Sequence, residues 1–201
     1  MKIFCIGRNY AAHAKELKNE VPTKPLVFMK PPTAILNGNK PFYLPDFSDN
    51  VHYEGEIVVK ICKNGKHIQS KFARNYYDLI TVGMDLTARD LQAELKAKGH
   101  PWEIAKGFDG SAVVGKFFPI KDTLDMHSFT ILKNGELVQR GKCKDMIFSI
   151  DVLIEYISQF FKLQIGDLIF TGTPAGVGKM NIGDIFEGFI EEKKCFKTEI
   201  K

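Results

Sequence analysis

No two cysteines in this chain stand close enough to suggest a shared purpose. Cys5, Cys62, Cys143 and Cys195 are scattered, without a C-x-x-C pair or metal-finger spacing. That excludes a disulfide framework and a thiolate metal site. The reading is reduced thiols in a cytoplasm, with Cys5 and Cys62 acting as small hydrophobes among apolar neighbours. Dense basic runs are missing too. The formal charge of +4 is spread over scattered lysines, and Lys193, Lys194, Lys197 and Lys201 are interleaved with Glu191, Glu192 and Glu199. Such a cluster reads as a solvated face and gives nucleic acid no footing, while mild positive charge suits small anionic substrates. No apolar stretch approaches bilayer-spanning length, and Met1 leads into a strand-like run without a charged-then-apolar signal segment. A soluble, intracellular protein with no membrane partner is expected. Repeats and low-complexity tracts are absent as well.

What is there is a chain of 201 residues, 44% hydrophobic and 26% charged, enough for one domain over residues 1–201 with a real core. Short runs rich in Val, Ile and Phe predict strands over residues 2–6, 25–29, 56–61, 112–118, 129–133, 168–171 and 185–190. The Asn-Gly pairs at 64–65 and 134–135 each predict a hairpin. Helices are predicted over 9–17, over 87–98 with a Thr87-to-Asp90 cap, and over 149–161 behind a Ser149 cap. In the last, Val152, Leu153, Tyr156, Ile157 and Phe160 form the apolar stripe. Six of the nine prolines fall between residues 20 and 47, marking a long ordered loop or lid interrupted by Leu26-Val27-Phe28-Met29. The mixture predicts a β-rich α+β domain.

Residues 51–60, VHYEGEIVVK, set Glu54 and Glu56 two apart at the mouth of an apolar run. On a strand, positions i and i+2 point the same way, and two anions so placed repel unless water or a cation lies between them. Either the strand simply leaves the core there, or the pair holds a cation with help from a third ligand. Asp85, after the apolar run 79–82, is that candidate, or else it caps a helix. Three hard oxygen ligands, with no thiolate or paired-imidazole set competing, suit Mg²⁺, with Mn²⁺ or Ca²⁺ also acceptable. Arg89 and Gln92 follow Asp85 at offsets that share a helix face. Arg89 is then a partner for a carboxylate, or an exposed helix arginine. Lys106, among small and apolar residues, either snorkels or points into a site as an anion clamp. His13 and Glu16 are neighbours on a predicted helix: a surface pair, or a carboxylate-backed imidazole able to activate water. The stretch FTGTPAGVG at 170–178 has glycines that let backbone amides approach a ligand, but lacks the Gly-Lys-Ser/Thr ending of a nucleotide loop.

In order along the chain stand Gly7-Arg8-Asn9-Tyr10 with His13 and Glu16, His52-x-Glu54-x-Glu56, Asp85-x-Thr87-x-Arg89-Asp90-x-Gln92, Ala105-Lys106-x-Phe108-Asp109, and Thr171-Gly172-Thr173-Pro174-x-Gly176-Val177-Gly178. Together they resemble the fumarylacetoacetate hydrolase family, in particular its short acylpyruvase and oxaloacetate decarboxylase members, from about residue 3 to the C-terminus. The resemblance implies a mixed β-roll that assembles as a homodimer. It implies Mg²⁺ on Glu54, Glu56 and Asp85, and a water-activating dyad of His13 and Glu16 on a lid. Lys106 would assist catalysis, and Arg89, Gln92 and Thr173 would line the substrate pocket. The implied activity is Mg²⁺-dependent hydrolysis of the C–C bond of acylpyruvates, such as fumarylpyruvate or acetylpyruvate, through a metal-held pyruvate enolate. Decarboxylation of oxaloacetate is open to the same site. The alternatives are a 2-hydroxyhepta-2,4-diene-1,7-dioate isomerase/decarboxylase of aromatic-compound breakdown, or a non-catalytic metal-binding protein. Residues 20–50 are expected to shape the acyl pocket, with Phe28, Lys30 and Tyr43 as candidates.

Overall fold

The computed structural model describes residues 1–16, 20–120 and 127–201, Ala14 and Lys15 by backbone alone. Strands are numbered in chain order. The central sheet runs β2 (Leu26–Lys30), β1 (Ile3–Gly7), β12 (Leu168–Phe170), β5 (Gly55–Ile61), β6 (Tyr77–Asp85), β8 (Ala112–Val114), β3 (Ile35–Asn37). It is mixed: β1 lies parallel to β12 and β3 to β8, and the other neighbours are antiparallel. The predicted strand 112–118 divides in two. β8 pairs with residues 83–85 of β6, and β9 (Phe118–Pro119) pairs with Leu79 and Ile80, the chain between them bulging out of the ladder.

A second, antiparallel sheet runs β11 (Glu136–Lys142), β10 (Ser128–Lys133), β14 (Ile185–Ile190), β15 (Lys193–Glu199). Its β10–β11 hairpin turns at Asn134 and Gly135, both left-handed with φ of 53° and 83°, as the Asn-Gly pair predicts. The C-terminal lysines do form a solvated face: Lys193, Lys194 and Lys197 of β15 are exposed, while Cys195, Phe196 and Thr198 are buried. A small third sheet, β13 (Gly178–Lys179), β4 (Val51–Tyr53) and β7 (Thr87–Ala88), joins the other two. The layers meet closely at Gly55, where a Cβ would stand 2.5 Å from Ile131 of the second sheet. Ile57, Val59, Phe129, Ile131 and Phe186 fill the core around that contact. The architecture is therefore β-rich α+β, a curled mixed sheet with a few short helices, as the sequence predicts.

The helices are α1 (Ala11–Glu16), α2 (Ser70–Ala73), α3 (Arg89–Lys98), α4 (Glu103–Lys106) and α5 (Ile150–Phe160). Of the predicted helix 9–17, Leu17 lies outside the described residues, and Asn9 precedes the helix. Three expectations are corrected. Asn64-Gly65 is not a hairpin: after β5 the chain enters α2, and Gly65 instead bridges Leu163 beyond α5, packed so tightly that a Cβ would meet Tyr76 at 2.4 Å. Thr87 does not cap α3, because it is paired in β7; Ala88 holds the cap position, and the Asp90 carboxylate accepts from Ser48 Oγ and the Asp49 amide. Ser149 does cap α5, but the buried face is Ile150, Leu153, Ile154 and Ile157, with Phe160 left 58% exposed. Ile150 and Ile154 turn the helix away from the stripe drawn through Val152, Tyr156 and Phe160.

Candidate metal centre and active site

Glu54 stands in the junction between β4 and β5, Glu56 on β5, and Asp85 at the end of the adjoining β6. The antiparallel register sets Gly55 against Met84 and Glu56 against Gly83, so Asp85 arrives beside Glu54, its amide donating to the Glu54 carbonyl at 2.8 Å. Sheet pairing thus closes the sequence gap. All three side chains are buried, and one carboxylate oxygen from each lies within 4.8 Å of the others. Asp85 is not a helix cap.

Cations surround the cluster. Lys106 Nζ donates to Glu54 Oε2 at 3.0 Å and to Asp85 Oδ2 at 2.8 Å. Arg89 pairs with Glu54 Oε1 and donates to Gln92 Oε1 at 2.7 Å. These contacts resolve the alternatives for Lys106 and Arg89 toward the cavity. Burial alone would raise Glu54, but Lys106 and Arg89 outweigh it and hold the carboxyl well below the usual range. Burial lowers Lys106, and Asp85 and Glu54 more than reverse that. Among the described residues Glu56 makes no ion pair. Burial, then the charge of Asp85, push it well above the ordinary carboxylate range, against a 2.7 Å hydrogen bond from the Gly172 amide and a weaker pull from Lys106.

A hard cation fits this donor set. Asp85 Oδ1 is buried and has no hydrogen bond, although Lys30 Nζ stands 2.7 Å away. Two of the three Lys30 protons go to the carbonyls of Leu86 and Ser111, at 3.1 and 2.8 Å, and the third is left for the ion pair with that oxygen, which keeps a further lone pair for a ligand. Among the described residues Glu54, Glu56 and Asp85 form the one cluster of candidate ligands. Its all-oxygen chemistry suits Mg²⁺ or Mn²⁺.

His13, 4% exposed, faces the same cavity from α1. Its Nδ1 lies 3.2 Å from Glu16 Oε2, and Glu16 Oε1 accepts from the Gly176 amide at 3.1 Å. The pair is therefore no free surface pair: one carboxylate joins the imidazole to the glycine loop. That loop is itself held by Asn9, which is fully buried. Asn9 donates to the carbonyls of Thr171 and Phe148 at 2.8 and 3.0 Å and accepts from the Phe148 amide at 2.8 Å. Gly172 beside it has a φ of 104°, and a Cβ there would strike Asn9 at 2.6 Å.

The cavity, about 30 Å³, is lined by His13, Glu54, Asp85, Arg89, Lys106 and Thr173 among others. Every predicted site residue is thus brought together. Glu16 stands one contact behind the wall, through His13, and Glu56 behind it through its approach to the Glu54 and Asp85 oxygens. Of the acyl-pocket candidates, Phe28 lines the cavity, Lys30 serves Asp85 instead, and Tyr43 is 67% exposed and takes no part. Sequence reasoning missed Lys96, which lines the cavity with Arg8; its offsets from Arg89 and Gln92 on α3 were the available signal. It also missed Gln139, buried on β11, which accepts from the Gly55 amide at 2.8 Å and donates to Thr173 Oγ1 at 2.9 Å. Nothing in the local pattern of β11 marks it.

The model of the fumarylacetoacetate hydrolase C-terminal domain matches residues 2–201. An oxaloacetate tautomerase of Caenorhabditis elegans, named as mitochondrial, is 43% identical over 100% of this chain and 94% of its own length. An oxaloacetate decarboxylase of Dictyostelium discoideum, also named as mitochondrial, is 40% identical over 92% of this chain and 87% of its own. Among solved structures, the fumarylpyruvate hydrolase of Pseudomonas aeruginosa, in complex with Mn²⁺ and pyruvate, superposes with a TM-score of 0.93. It is 35% identical, and the match covers 100% of this chain and 89% of that one. A match of this extent, arrived at after five motifs in order and one shared cavity, makes the chain an enzyme of the fumarylacetoacetate hydrolase family.

Proposed function

We propose that residues 1–201 form one catalytic unit, a divalent-cation-dependent enzyme that hydrolyses the C–C bond of acylpyruvates. The observation that carries this is the shared cavity of the His13–Glu16 pair and the three-carboxylate cluster. The His13 tautomer that donates from Nδ1 to Glu16 leaves Nε2 to take a proton from water. The resulting hydroxyl adds to the distal carbonyl carbon. The bond between that carbon and C3 of the pyruvate unit then breaks, its electron pair passing to the pyruvate as an enolate. The proton returns to C3, giving pyruvate and a carboxylic acid. Lys106, buried and held charged, places its ammonium where the enolate charge grows. Arg89, Gln92 and Thr173 position the substrate, Thr173 being fixed by Gln139. A Mg²⁺ or Mn²⁺ ion on Glu54, Glu56 and Asp85 would supply Lewis-acid withdrawal of charge from the 2-oxo acid head, worth several kcal/mol.

A cavity of about 30 Å³ holds an ion with a water or two and not a substrate. Entry therefore requires the cavity to widen. A second reading, tautomerisation or decarboxylation of oxaloacetate, is favoured by the tautomerase and decarboxylase relatives. Both need enolate stabilisation and neither needs the attacking water. We further propose a homodimer, with exposed apolar Phe47 and Ile104 in support, checked by light scattering. The compartment proposed is the cytoplasm, or the mitochondrion for which the relatives are named; four cysteines scattered along the chain without paired spacing support a reducing one.

The deciding experiment follows pyruvate release from acylpyruvates and from oxaloacetate after chelation and after readdition of Mg²⁺ or Mn²⁺. Metal-dependent release from acylpyruvates supports hydrolysis. Turnover of oxaloacetate alone selects the second reading, and full activity in chelated protein refutes both.

A further inference from the structure

Around the carboxylate cluster most charges are matched. Glu54 meets Arg89 and Lys106, and Asp85 meets Lys106 and Lys30, so these two carboxylates already stand against three cations before any metal is bound. Two more cations line the same cavity without an anion. Among the described residues, neither the Arg8 nor the Lys96 side chain makes an ion pair or hydrogen bond; Lys96 only rests 5.1 Å above the Trp102 ring. Although Lys96 is exposed as a residue, partial desolvation disfavours its charge, and the nearby positive charges of Arg8, Arg89 and Lys106 disfavour it further. Arg8 is held in place by its backbone. It follows Gly7 at the end of β1 with a φ of 59°, a conformation that side-chain-bearing residues rarely adopt. The fold thus holds an unpaired guanidinium and an unpaired ammonium on one cavity. Lys96 is exposed and Arg8 half-buried, whereas Glu54, Asp85 and Lys106 are buried, which sets the cation pair at the outer end.

Resting on the function proposed above, we infer that Arg8 and Lys96 form a subsite for the second carboxylate of the substrate. The preferred substrates are then 2-oxo dicarboxylic acids, the 2-oxo acid head lying toward Glu54, Glu56 and Asp85. A guanidinium presents two parallel donors to a carboxylate, and an ammonium adds a point charge. Phe28 and Trp102 add apolar surface to the same cavity, Lys106 lying over the Phe28 ring and Lys96 over that of Trp102. A monocarboxylic acylpyruvate leaves both cations unmatched.

The test compares kcat/KM of Mn²⁺-loaded protein for fumarylpyruvate, a dicarboxylate, with that for acetylpyruvate, its monocarboxylate counterpart. Wild type is expected to prefer fumarylpyruvate. The variants are Lys96→Gln and Arg8→Asn, asparagine being the side chain that best tolerates the Arg8 backbone. Each should cut the fumarylpyruvate-to-acetylpyruvate ratio about tenfold, mainly through KM for fumarylpyruvate. Arg8→Lys should restore part of it. An unchanged ratio in both variants, or parallel losses on the two substrates, overturns the subsite alone. Turnover of neither substrate by wild type overturns the proposed hydrolysis, and the subsite with it.

Discussion

Replacing Glu56 with glutamine should stabilise the metal-free protein and weaken its response to metal. Glu56 is 1% exposed, with Glu54 and Asp85 ligand atoms within 4.8 Å and, among the described residues, no ion pair. Two unit charges at 4.8 Å repel by about 3.5 kcal/mol at an effective dielectric near 20. The folded protein avoids that cost by keeping Glu56 protonated, which is what its raised pKa expresses. In the unfolded chain the same carboxyl ionises at about 4.3. Between that value and the raised native one, the folded state carries the extra proton, so stability falls as pH rises, by up to about 1.4 kcal/mol per unit. Glutamine keeps the shape and can accept from the Gly172 amide without titrating. For a chain of this size 1 kcal/mol moves Tm by about 2–4 °C. In chelator, the Tm of Glu56→Gln should therefore gain on wild type by about 3–6 °C per pH unit within the window. With Mn²⁺ at about a hundred times its Kd, wild type gains about 2.7 kcal/mol, roughly 5–11 °C, and the variant loses most of that gain. Thermal melts from pH 5 to 8, with and without metal, measure both effects. A difference that does not change with pH, or an equal metal shift in the two proteins, refutes the reasoning.

His13→Ala and Glu16→Gln should each slow acylpyruvate hydrolysis about 10²–10⁴-fold while oxaloacetate decarboxylation falls far less; parallel losses in steady-state assays would count against a water-activating role. Lys106→Met leaves Glu54 and Asp85 facing each other without their shared ammonium. Urea melts of the metal-free variant should show a loss of about 3–5 kcal/mol, partly recovered by Mg²⁺ or Mn²⁺. Asn9→Ala removes three hydrogen bonds from a fully buried position and should cost about 3 kcal/mol; a loss near zero would mean that the glycine loop does not depend on this anchor.

Where chemistry and backbone pattern coincide, the sequence was enough. The strand runs ending at Ile61, Lys133 and Ile190 sit where alternation and β-branched residues put them, and Asn134-Gly135 turns as its left-handed preference demands. The acidic triad was legible because three hard ligands had no competing metal chemistry nearby. The register that unites them was not legible, since pairing of β5 with β6 is a long-range property. Asn64-Gly65 misled because packing against Tyr76 and Leu163 overrode the local turn preference. The role of Lys30, a pocket candidate by sequence, and the presence of Gln139 were not legible because their work is to hold other residues, Asp85 in one case and Thr173 in the other, and no local pattern announces such a duty.

The two-handed grip of Glu16 makes the enzyme an interlock. One oxygen steadies the imidazole and the other fastens α1 to the glycine loop. Any departure of α1 from that loop must break the second contact, and doing so loosens the group that aligns His13. In the proposed mechanism the proton acceptor is therefore armed only while α1 is seated.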